Sequence, residues 1–336
     1  MGTLLQVDRL SVALPTRSGY HKAVDDLTFA VDAGEVRGIA GESGSGKTMT
    51  ALSLFGLLPN GARVTGSIRL DGTELLGLTS KQLRAIRGRQ IAMVSQDPST
   101  ALHPILPIGT QLTEHMRYHL GVTKTEAMTR AAELLRTVRI PDPEQALHSY
   151  AGQFSGGMRQ RIAIAVALAA EPRLLVADEP TTALDVTVQA GILRLLDRLC
   201  RERGMAVIVI THDLGVMSAT ARRLYVMYAG RLAEAGPTSE VLARPRHPYT
   251  RGLLDALPHP EAGGAPLVPI GGSPPSLGRV PAGCPFHPRC RYAQPSCATD
   301  RPEPRLIADT HLLACPPDPL RELPAAEGGQ DGRDAP

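Results

Sequence analysis

The chain has 336 residues, of which 43% are hydrophobic and 21% charged, and its net charge is +3. These values are ordinary for a globular chain and suit one large domain with a smaller one beside it. Aromatic residues make up 3%, tryptophan is absent and the basic residues are scattered, so we expect no nucleic-acid partner. The chain opens without a signal-peptide pattern, and its longest apolar run, Ile162 to Ala170, is too short to cross a bilayer.

The first predicted elements lead into a glycine-rich loop. Alternating apolar residues predict strands from Leu4 to Val12 and from Leu27 to Val31, and a short apolar run predicts a buried strand from Val36 to Ala40. A helix is expected from Gly46 to about Leu58, and Gly66 to Leu70 has the pattern of a hairpin edge.

The loop between the third strand and this helix fits the phosphate-binding pattern G-x-x-x-x-G-K-[ST]. Its glycines let successive backbone amides converge on phosphate oxygens, the lysine reaches the terminal phosphates, and the final hydroxyl binds Mg²⁺. The strand-loop-helix context supports this interpretation. The predicted nucleotide-binding residues are Gly41, Glu42, Ser43, Gly44, Ser45, Gly46, Lys47 and Thr48.

Beyond residue 100 the pattern becomes helical up to about residue 165, and strand-helix alternation then resumes. We predict strands from Leu174 to Asp178, from Ala206 to Thr211 and from Arg223 to Tyr228, with a helix from Thr187 to Arg203. Such alternation indicates an α/β fold with a parallel sheet and helices on both faces. We divide the chain into residues 1–257, a Pro-, Gly- and Cys-bearing extension over 258–320, and a tail over 321–336 that is expected to be disordered.

A second anion-binding pattern, Phe154 to Arg161, begins 107 residues after Lys47. Small residues precede an apolar helix, so a serine hydroxyl, backbone amides and the helix dipole could face a phosphate. One nucleotide has one γ-phosphate, and we therefore expect this segment to complete the site of a second subunit. The residues concerned are Ser155, Gly156, Gly157 and Gln160.

Polar residues follow three of the predicted strands, where ligands gather at the carboxyl edge of a parallel sheet. Asp178 is expected to hold Mg²⁺ and Glu179 to polarise the attacking water. Gln96 offers an amide for Mg²⁺ or water, and His212 can donate to the γ-phosphate. Phosphoryl transfer needs such groups because its catalysis is mainly positioning and charge neutralisation.

In this order and spacing, these motifs resemble the ATPase subunits of ABC transporters over residues 3 to about 245. The resemblance implies a RecA-like core sheet, an antiparallel β subdomain and an inserted α-helical signature subdomain. It also implies that Ser155 and Gly157 contact the partner's γ-phosphate and that Asp185, in Ala183-Leu184-Asp185, communicates across the interface. The family stacks adenine on an aromatic residue upstream of the P-loop. Tyr20 is the candidate, and a plain surface aromatic is its alternative.

A narrower resemblance is to the dipeptide and oligopeptide importer subfamily. It is carried by Gln96-Asp-Pro-Ser-Thr-Ala-Leu-His103-Pro104, Glu179-Pro-Thr-Thr-Ala-Leu-Asp-Val-Thr-Val-Gln189 and His247-Pro-Tyr-Thr250. It implies a second ATPase subunit, which is commonly a paralogue but can be an identical chain, two transmembrane permease subunits and an extracytoplasmic solute-binding protein. It also implies a peripheral place on the cytoplasmic face of the membrane. His247 and Tyr249 are also expected to cap a helix toward Leu257.

The residues alone leave other solutes and other classes of ATP-using protein open. The subfamily also serves nickel and other solutes. A soluble ABC ATPase would share the motifs but usually shows paired cassettes or long coiled coils, and a P-loop kinase would lack the Ser-Gly-Gly signature.

Four of the five cysteines crowd into the extension, as Cys284, Cys290, Cys297 and Cys315. Disulfides are disfavoured in a reducing cytoplasm, and four thiolates suit either an iron–sulfur cluster or zinc. His287 and His311 leave mixed zinc ligation open. Peptide importers with a similar tail can bind a 4Fe–4S cluster, which the resemblance therefore favours here over the two alternatives, zinc and unligated thiols. Cys200 is expected to be a buried packing residue.

Overall fold

Two β-sheets organise the part of the chain that the computed structural model describes, residues 2–97, 101–181, 186–257 and 268–322. The strands are β1 (Thr3–Thr16), β2 (Gly19–Asp32), β3 (Val36–Ala40), β4 (Arg63–Leu70), β5 (Thr73–Glu74), β6 (Ile91–Val94), β7 (Leu174–Asp178), β8 (Ala206–Thr211), β9 (Arg223–Tyr228), β10 (Arg231–Pro237), β11 (Arg305–Ala308) and β12 (His311–Leu313). The helices are α1 (Lys47–Leu54), α2 (Ser80–Ile86), α3 (Ile108–Leu120), α4 (Lys124–Thr137), α5 (Pro143–Ala146), α6 (Gly156–Leu168), α7 (Val186–Arg203), α8 (Leu214–Ser218), α9 (Thr238–Ala243) and α10 (Pro248–Asp255).

The larger sheet has eight strands in the order β11-β12-β10-β9-β3-β8-β7-β6. The five strands from β9 to β6, at one end of the sheet, are parallel, and β10, β12 and β11 continue the sheet in antiparallel fashion. Every residue of β3, β7 and β8 is buried. Near-continuous apolar sequence is the mark of parallel strands that are covered on both faces, which is why the pattern predicted these three strands correctly.

The smaller sheet is antiparallel, in the order β2-β1-β4-β5. β1 and β2 have 14 residues each and are longer than predicted. The pattern was interrupted because the strands bulge where Arg9 and Asp26 adopt positive φ values of 49° and 58° and meet in an ion pair of 3.1 Å. A bulge shifts side chains out of strict alternation, so the sequence signal weakens there although pairing continues on both sides.

Helix α1 ends at Leu54, four residues before the predicted end. Gly56 has a φ of 59°, the left-handed conformation with which helices commonly terminate, and Leu57 is 49% exposed. The helical segment expected over residues 100–165 contains α3 to α6. Its buried apolar side chains, such as Ala131, Leu135 and Ile162, belong to one hydrophobic core together with residues of the large sheet.

The C-terminal extension joins the large sheet instead of standing apart from it. β12 pairs with β10, with Glu234 opposite Leu313, and β11 closes the hairpin. The Glu234 carboxylate is 0% exposed and accepts hydrogen bonds from the backbone amides of Arg246 and His247 and from His311 Nε2, at 2.8–3.0 Å. One buried carboxylate therefore connects β10, the start of α10 and the extension.

Part of the predicted tail, residues 323–336, lies outside the described residues. Within the described ranges, no helix combines the length and the apolar character that a membrane span requires. Cys200 is 2% exposed within the core, which confirms its predicted packing role.

His247 is the N-cap of α10, as predicted, and accepts a hydrogen bond from the Tyr249 amide at 3.0 Å. Burial lowers the pKa of His247 to about 4, although Glu234 acts in the opposite direction. The unfolded chain therefore binds a proton on this side chain below about pH 6.5 while the folded chain does not, and stability falls as the pH drops from 6.5 towards 4.

As the pH drops from 6.5 towards 4, we expect the unfolding free energy of wild type to fall by up to about 1.4 kcal/mol per pH unit relative to that of His247→Asn. Asparagine is the reference because it keeps a capping acceptor but does not titrate. Urea unfolding at pH 7.5, 6.5 and 5 measures the difference. A gap between the two proteins that stays constant across these pH values would contradict the neutral, buried histidine.

Candidate functional site

The glycine-rich loop connects the end of β3 to the start of α1 and wraps around the Lys47 side chain. Lys47 is 5% exposed and its Nζ donates to the backbone carbonyls of Gly41 and Glu42, at 2.7 and 2.9 Å. Burial lowers the Lys47 pKa, against the raising effect of Glu179, Asp178 and Glu42. The ammonium group is thus held at the loop, where the pattern predicts terminal phosphates.

Two of the loop glycines are required by their surroundings. A Cβ on Gly41, whose φ is 152°, would lie 2.3 Å from the Met227 carbonyl oxygen. A Cβ on Gly46, whose φ is 100°, would lie 2.6 Å from the Ala23 carbonyl oxygen. Both contacts involve backbone atoms that cannot swing away, so a side chain would displace the loop from β9 or β2.

Glu179 joins two of the other predicted catalytic residues. Gln96 Nε2 donates to Glu179 Oε2 at 3.0 Å, and His212 Nδ1 lies 3.2 Å from Glu179 Oε1. The three side chains follow β6, β7 and β8, whose parallel arrangement brings their carboxyl ends to one edge of the sheet. Glu179 also has a φ of 49°, uncommon for a residue with a side chain and typical of strained functional positions.

Asp178 lies behind this group and faces α1. Thr48 donates a side-chain hydrogen bond to it, while its Oδ1 is buried without a hydrogen-bond partner. Burial raises the Asp178 pKa, and Glu179 adds to that effect, whereas Thr48 and Lys47 oppose it. A hydroxyl and a carboxylate with a spare buried oxygen fit a hard divalent cation such as Mg²⁺.

These residues surround a cavity of about 920 Å³, which is large enough for a nucleotide. Its lining combines the loop, the edge of the sheet and several residues of α10 and the extension. The lining residues are Lys22, Ala23, Glu42, Ser43, Gly44, Ser45, Gly46, Lys47, Thr48, Met49, Gln96, Glu179, His212, Ala229, Leu253, Ala256, Leu257, Pro274, Pro275, Ser276, Leu277 and Val280.

Tyr20 is not brought into this cavity lining. It lies near the β1–β2 turn, 44% exposed, with the Arg63 guanidinium 3.7 Å from its ring centroid. A role in stacking adenine stays a prediction.

The signature residues Ser155, Gly156, Gly157 and Gln160 are all described, and none of them lines the cavity. Ser155 caps α6 by accepting from the Met158 amide at 3.3 Å. Gly157 lets α6 approach α7, since a Cβ there would lie 2.8 Å from Val188 Cγ1. The segment is therefore a helix N-terminus separate from the loop of its own chain. Asp185, the predicted D-loop residue, lies outside the described residues.

Sequence reasoning missed the support that the loop receives from the C-terminal half. Tyr249 Oη accepts from the Glu42 amide at 2.7 Å, and Arg289 contacts the Glu42 carboxylate. The motif His247 to Thr250 could have drawn attention to Tyr249, but nothing in the spacing around Arg289 indicates a contact across 247 residues. The apolar wall formed by Leu257, Leu277 and Val280 was also not predicted.

The four cysteines of the extension lie near one another. Burial, with smaller contributions from the thiols of Cys284, Cys290 and Cys297, raises the pKa of Cys315 to about 12, although a backbone hydrogen bond at Asp318 acts in the opposite direction. Across the described ranges, no group of three or more His, Cys, Asp and Glu side chains is placed so that it could hold a metal ion. Of the two histidines predicted as alternative zinc ligands, His287 places its Nδ1 2.9 Å from the Cys284 carbonyl oxygen, and His311 instead pairs with Glu234 at 2.8 Å.

Comparison with known proteins identifies the family. The ABC transporter family matches residues 24–182, and the C-terminal region of oligopeptide/dipeptide transporters matches residues 233–297. The oligopeptide transport ATP-binding protein OppD of Salmonella typhimurium is 46% identical over 93% of both chains. The dipeptide transport ATP-binding protein DppD of Bacillus subtilis is 46% identical over 94% of this chain and 95% of its own. The chain belongs to this family of ABC transporter ATP-binding proteins.

Solved structures support the same conclusion. The post-hydrolysis dimer of the ATP-binding cassette MJ0796, bound to ADP and Pi, has a TM-score of 0.63 at 27% identity, over 70% of this chain and 99% of its own. The protein cbiO1 of Clostridium perfringens, part of the complex cbiONQ, has a TM-score of 0.61 at 26% identity, over 72% and 91% of the two chains. The predicted α/β ABC ATPase fold is confirmed, and the chain is an ATP-hydrolysing subunit.

Proposed function

We propose that this ATPase supplies the energy for uptake of dipeptides and oligopeptides through partner permease subunits. The observation that carries the proposal is the similarity along nearly the whole length to oligopeptide and dipeptide transport proteins, including the match of residues 233–297 to their C-terminal region. The ATP site alone would suit any transported solute, whereas the C-terminal match is to a region described for oligopeptide and dipeptide transporters. A solute-binding protein outside the membrane would deliver the peptide, and this chain would lie on the cytoplasmic face.

Hydrolysis follows from the arrangement of the cavity. The loop amides and Lys47 bind the phosphates of ATP, and Thr48, Asp178 and Gln96 are the residues that would hold Mg²⁺. When bound, Mg²⁺ neutralises charge on the β- and γ-phosphates. Glu179 orients and deprotonates the attacking water, and its hydrogen bonds to Gln96 and His212 fix the carboxylate. His212, which is 56% exposed, is free to turn towards the γ-phosphate.

The signature segment serves the nucleotide of the partner subunit. Its position outside the cavity of its own chain supports this assignment, as does the similarity to a dimeric cassette. Each closed dimer then holds two nucleotides. Each nucleotide lies between the phosphate-binding loop of one subunit and the signature residues Ser155 and Gly157 of the other subunit. Asp185 would communicate across the same interface.

The peptide assignment is tested by uptake. A strain that lacks this subunit should lose uptake of labelled dipeptides or oligopeptides and regain it with the wild-type chain. Retained peptide uptake, with loss of nickel or another solute instead, would overturn the peptide assignment while leaving the ATPase intact. Recovery of the chain with nucleic acid and without membrane subunits would point to a soluble ABC ATPase.

Glu179→Gln should preserve ATP binding and reduce turnover of the assembled complex about 10²- to 10⁴-fold, because the amide cannot accept the proton of water. Steady-state phosphate release and nucleotide binding are measured together. Glu133→Gln, which changes an exposed carboxylate on α4, is the matched control and should behave as wild type. A loss of less than about tenfold would exclude Glu179 as the general base.

Ser155→Ala should leave ATP affinity of the isolated chain unchanged and prevent ATP-driven dimerisation of chains that also carry Glu179→Gln. The substitution also removes a helix cap, at a cost of about 1 kcal/mol. Thr123→Ala removes the equivalent cap of α4 and controls for that loss. Size-exclusion chromatography with and without ATP gives the oligomeric state. Weaker ATP binding by the isolated Ser155→Ala chain would show that the signature contacts its own nucleotide.

For the extension, the proposed occupant of Cys284, Cys290, Cys297 and Cys315 is a 4Fe–4S cluster, with zinc as the alternative. The support is the set of four partly buried cysteines, which lie near enough for their thiols to influence one another's pKa. The cluster would hold the cysteine-bearing segment together and lies outside the ATP cavity.

Anaerobically purified protein should be brown and contain about four irons per chain, and Cys290→Ser should lose both colour and iron. Cys200→Ala, which alters the cysteine in the core, should keep them. Iron analysis and visible absorbance are the measurements. A colourless anaerobic protein with stoichiometric zinc, or without metal, would exclude the cluster.

A further inference from the structure

Arg289 links the cysteine-bearing segment to the phosphate-binding loop. Its two terminal nitrogens donate to the two carboxylate oxygens of Glu42, at 2.7 and 2.9 Å. This is the bidentate geometry that gives arginine–carboxylate pairs both strength and a fixed orientation. The Arg289 side chain is 5% exposed, so the pair is sheltered from water on the arginine side.

The arginine is held in place independently of Glu42. Its Nε donates to the Gly271 carbonyl at 2.9 Å, and its Nη1 also lies 3.3 Å from Tyr228 Oη. The guanidinium is 5.8 Å from the centroid of the Tyr228 ring and 5.9 Å from that of Phe286. A side chain fixed by this many contacts presents a preformed fork to the loop.

Glu42 is restrained through all of its polar groups. Its amide donates to Tyr249 Oη at 2.7 Å, its carbonyl accepts from Lys47 Nζ at 2.9 Å, and its carboxylate accepts from Arg289. Glu42 therefore helps to set both the course of the loop and the direction of the lysine that faces the phosphates. Loss of the Arg289 contact would release one of these three restraints.

Arg289 directly precedes Cys290 and shares a short helical turn, His287–Arg289, with the segment that follows Cys284. The Cys284 amide donates to the Cys297 carbonyl at 2.8 Å, and the Arg289 amide donates to the Phe286 carbonyl at 3.0 Å. The position of Arg289 thus depends on the fold of the cysteine-bearing segment, residues 284–297.

We propose that Arg289 is a positioning residue for ATP binding, and that it makes nucleotide affinity depend on the folded state of the cysteine-bearing segment. This inference rests on the proposed nucleotide site at residues 41–48 and is independent of which solute is transported. Because coupling between two sites is reciprocal, bound ATP must in turn stabilise the cysteine-bearing segment.

The test compares Glu42→Gln, Arg289→Gln and the double variant in the full chain, purified anaerobically. Each single change should raise the Kd for ATP about tenfold, and the double variant should be no weaker than the singles, because both remove the same contact. In the assembled complex, Arg289→Gln should raise the KM for ATP and change kcat at saturating ATP by less than about twofold. Partial recovery is expected for Arg289→Lys, which keeps the charge but loses the fork.

Arg291→Gln is the matched control, since Arg291 lies in the same segment, is 57% exposed and pairs with Asp255 instead of the loop. Its Kd for ATP should equal that of wild type. Iron content and thermal melting of each variant show whether the cysteine-bearing segment is still assembled. Additive effects of Glu42→Gln and Arg289→Gln, or an unchanged Kd in Arg289→Gln with the segment intact, would overturn the inference.

Amide hydrogen exchange supplies the reciprocal readout. ATP should slow exchange in residues 284–290 of wild type and leave it unchanged in Arg289→Gln. The Lys47→Ala variant distinguishes an error in the proposed role of Arg289 from an error in the proposed nucleotide site. If it abolishes ATP binding while Arg289→Gln has no effect, the role of Arg289 is wrong and the nucleotide site stands. If Lys47→Ala binds ATP normally, the nucleotide site itself is wrong.

Discussion

The buried carboxylate of Glu234 is the interaction on which the C-terminal half of the structure depends. It accepts hydrogen bonds from two backbone amides at the start of α10 and from His311 on β12. A buried carboxylate must be compensated by donors, and here the donors come from two stretches of chain other than the strand that carries Glu234. Helix α10 then carries Tyr249 to the phosphate-binding loop, and the extension carries Arg289 to the same loop. The loop is thus supported from behind by residues that follow it by about 200 positions or more.

The predicted catalytic residues at the carboxyl edge of the large sheet are positioned in a different way. Gln96, Glu179 and His212 meet because β6, β7 and β8 are parallel neighbours and each side chain comes just after its strand. Such a site needs only the strands in the right order, and the apolar sequence of β7 and β8 places them in the buried interior of the sheet, with β6 beside β7 as the terminal strand. The packing of the core strands fixes the positions of the catalytic side chains. The phosphate-binding loop is instead fixed by its contacts with Arg289 and Tyr249.

This contrast explains what the sequence could predict. Buried strands, the glycine loop and the residues after the strands have local patterns, and three residues that those patterns single out, Lys47, Glu179 and His212, line one cavity. Contacts such as Arg289 to Glu42 leave no local pattern, because an arginine in a Pro-rich stretch looks the same whether it faces solvent or a distant carboxylate. The strand β2 was only partly predicted, since its bulge breaks the alternation that identifies strands. Helix α1 ended early because one glycine outweighed the helical propensity of the residues around it.

The hairpin of β11 and β12 has a consequence for the solubility of the chain. β10 is fully buried from Arg231 to Gly236, and on one side its hydrogen-bonding groups pair with β12. A protein shortened before residue 305 would leave that side of β10 open. An uncovered apolar strand edge is a template for another strand, and such a shortened chain would self-associate edge to edge. The outermost strand of the intact chain, β11, has only four residues and carries Arg305, features that discourage such pairing.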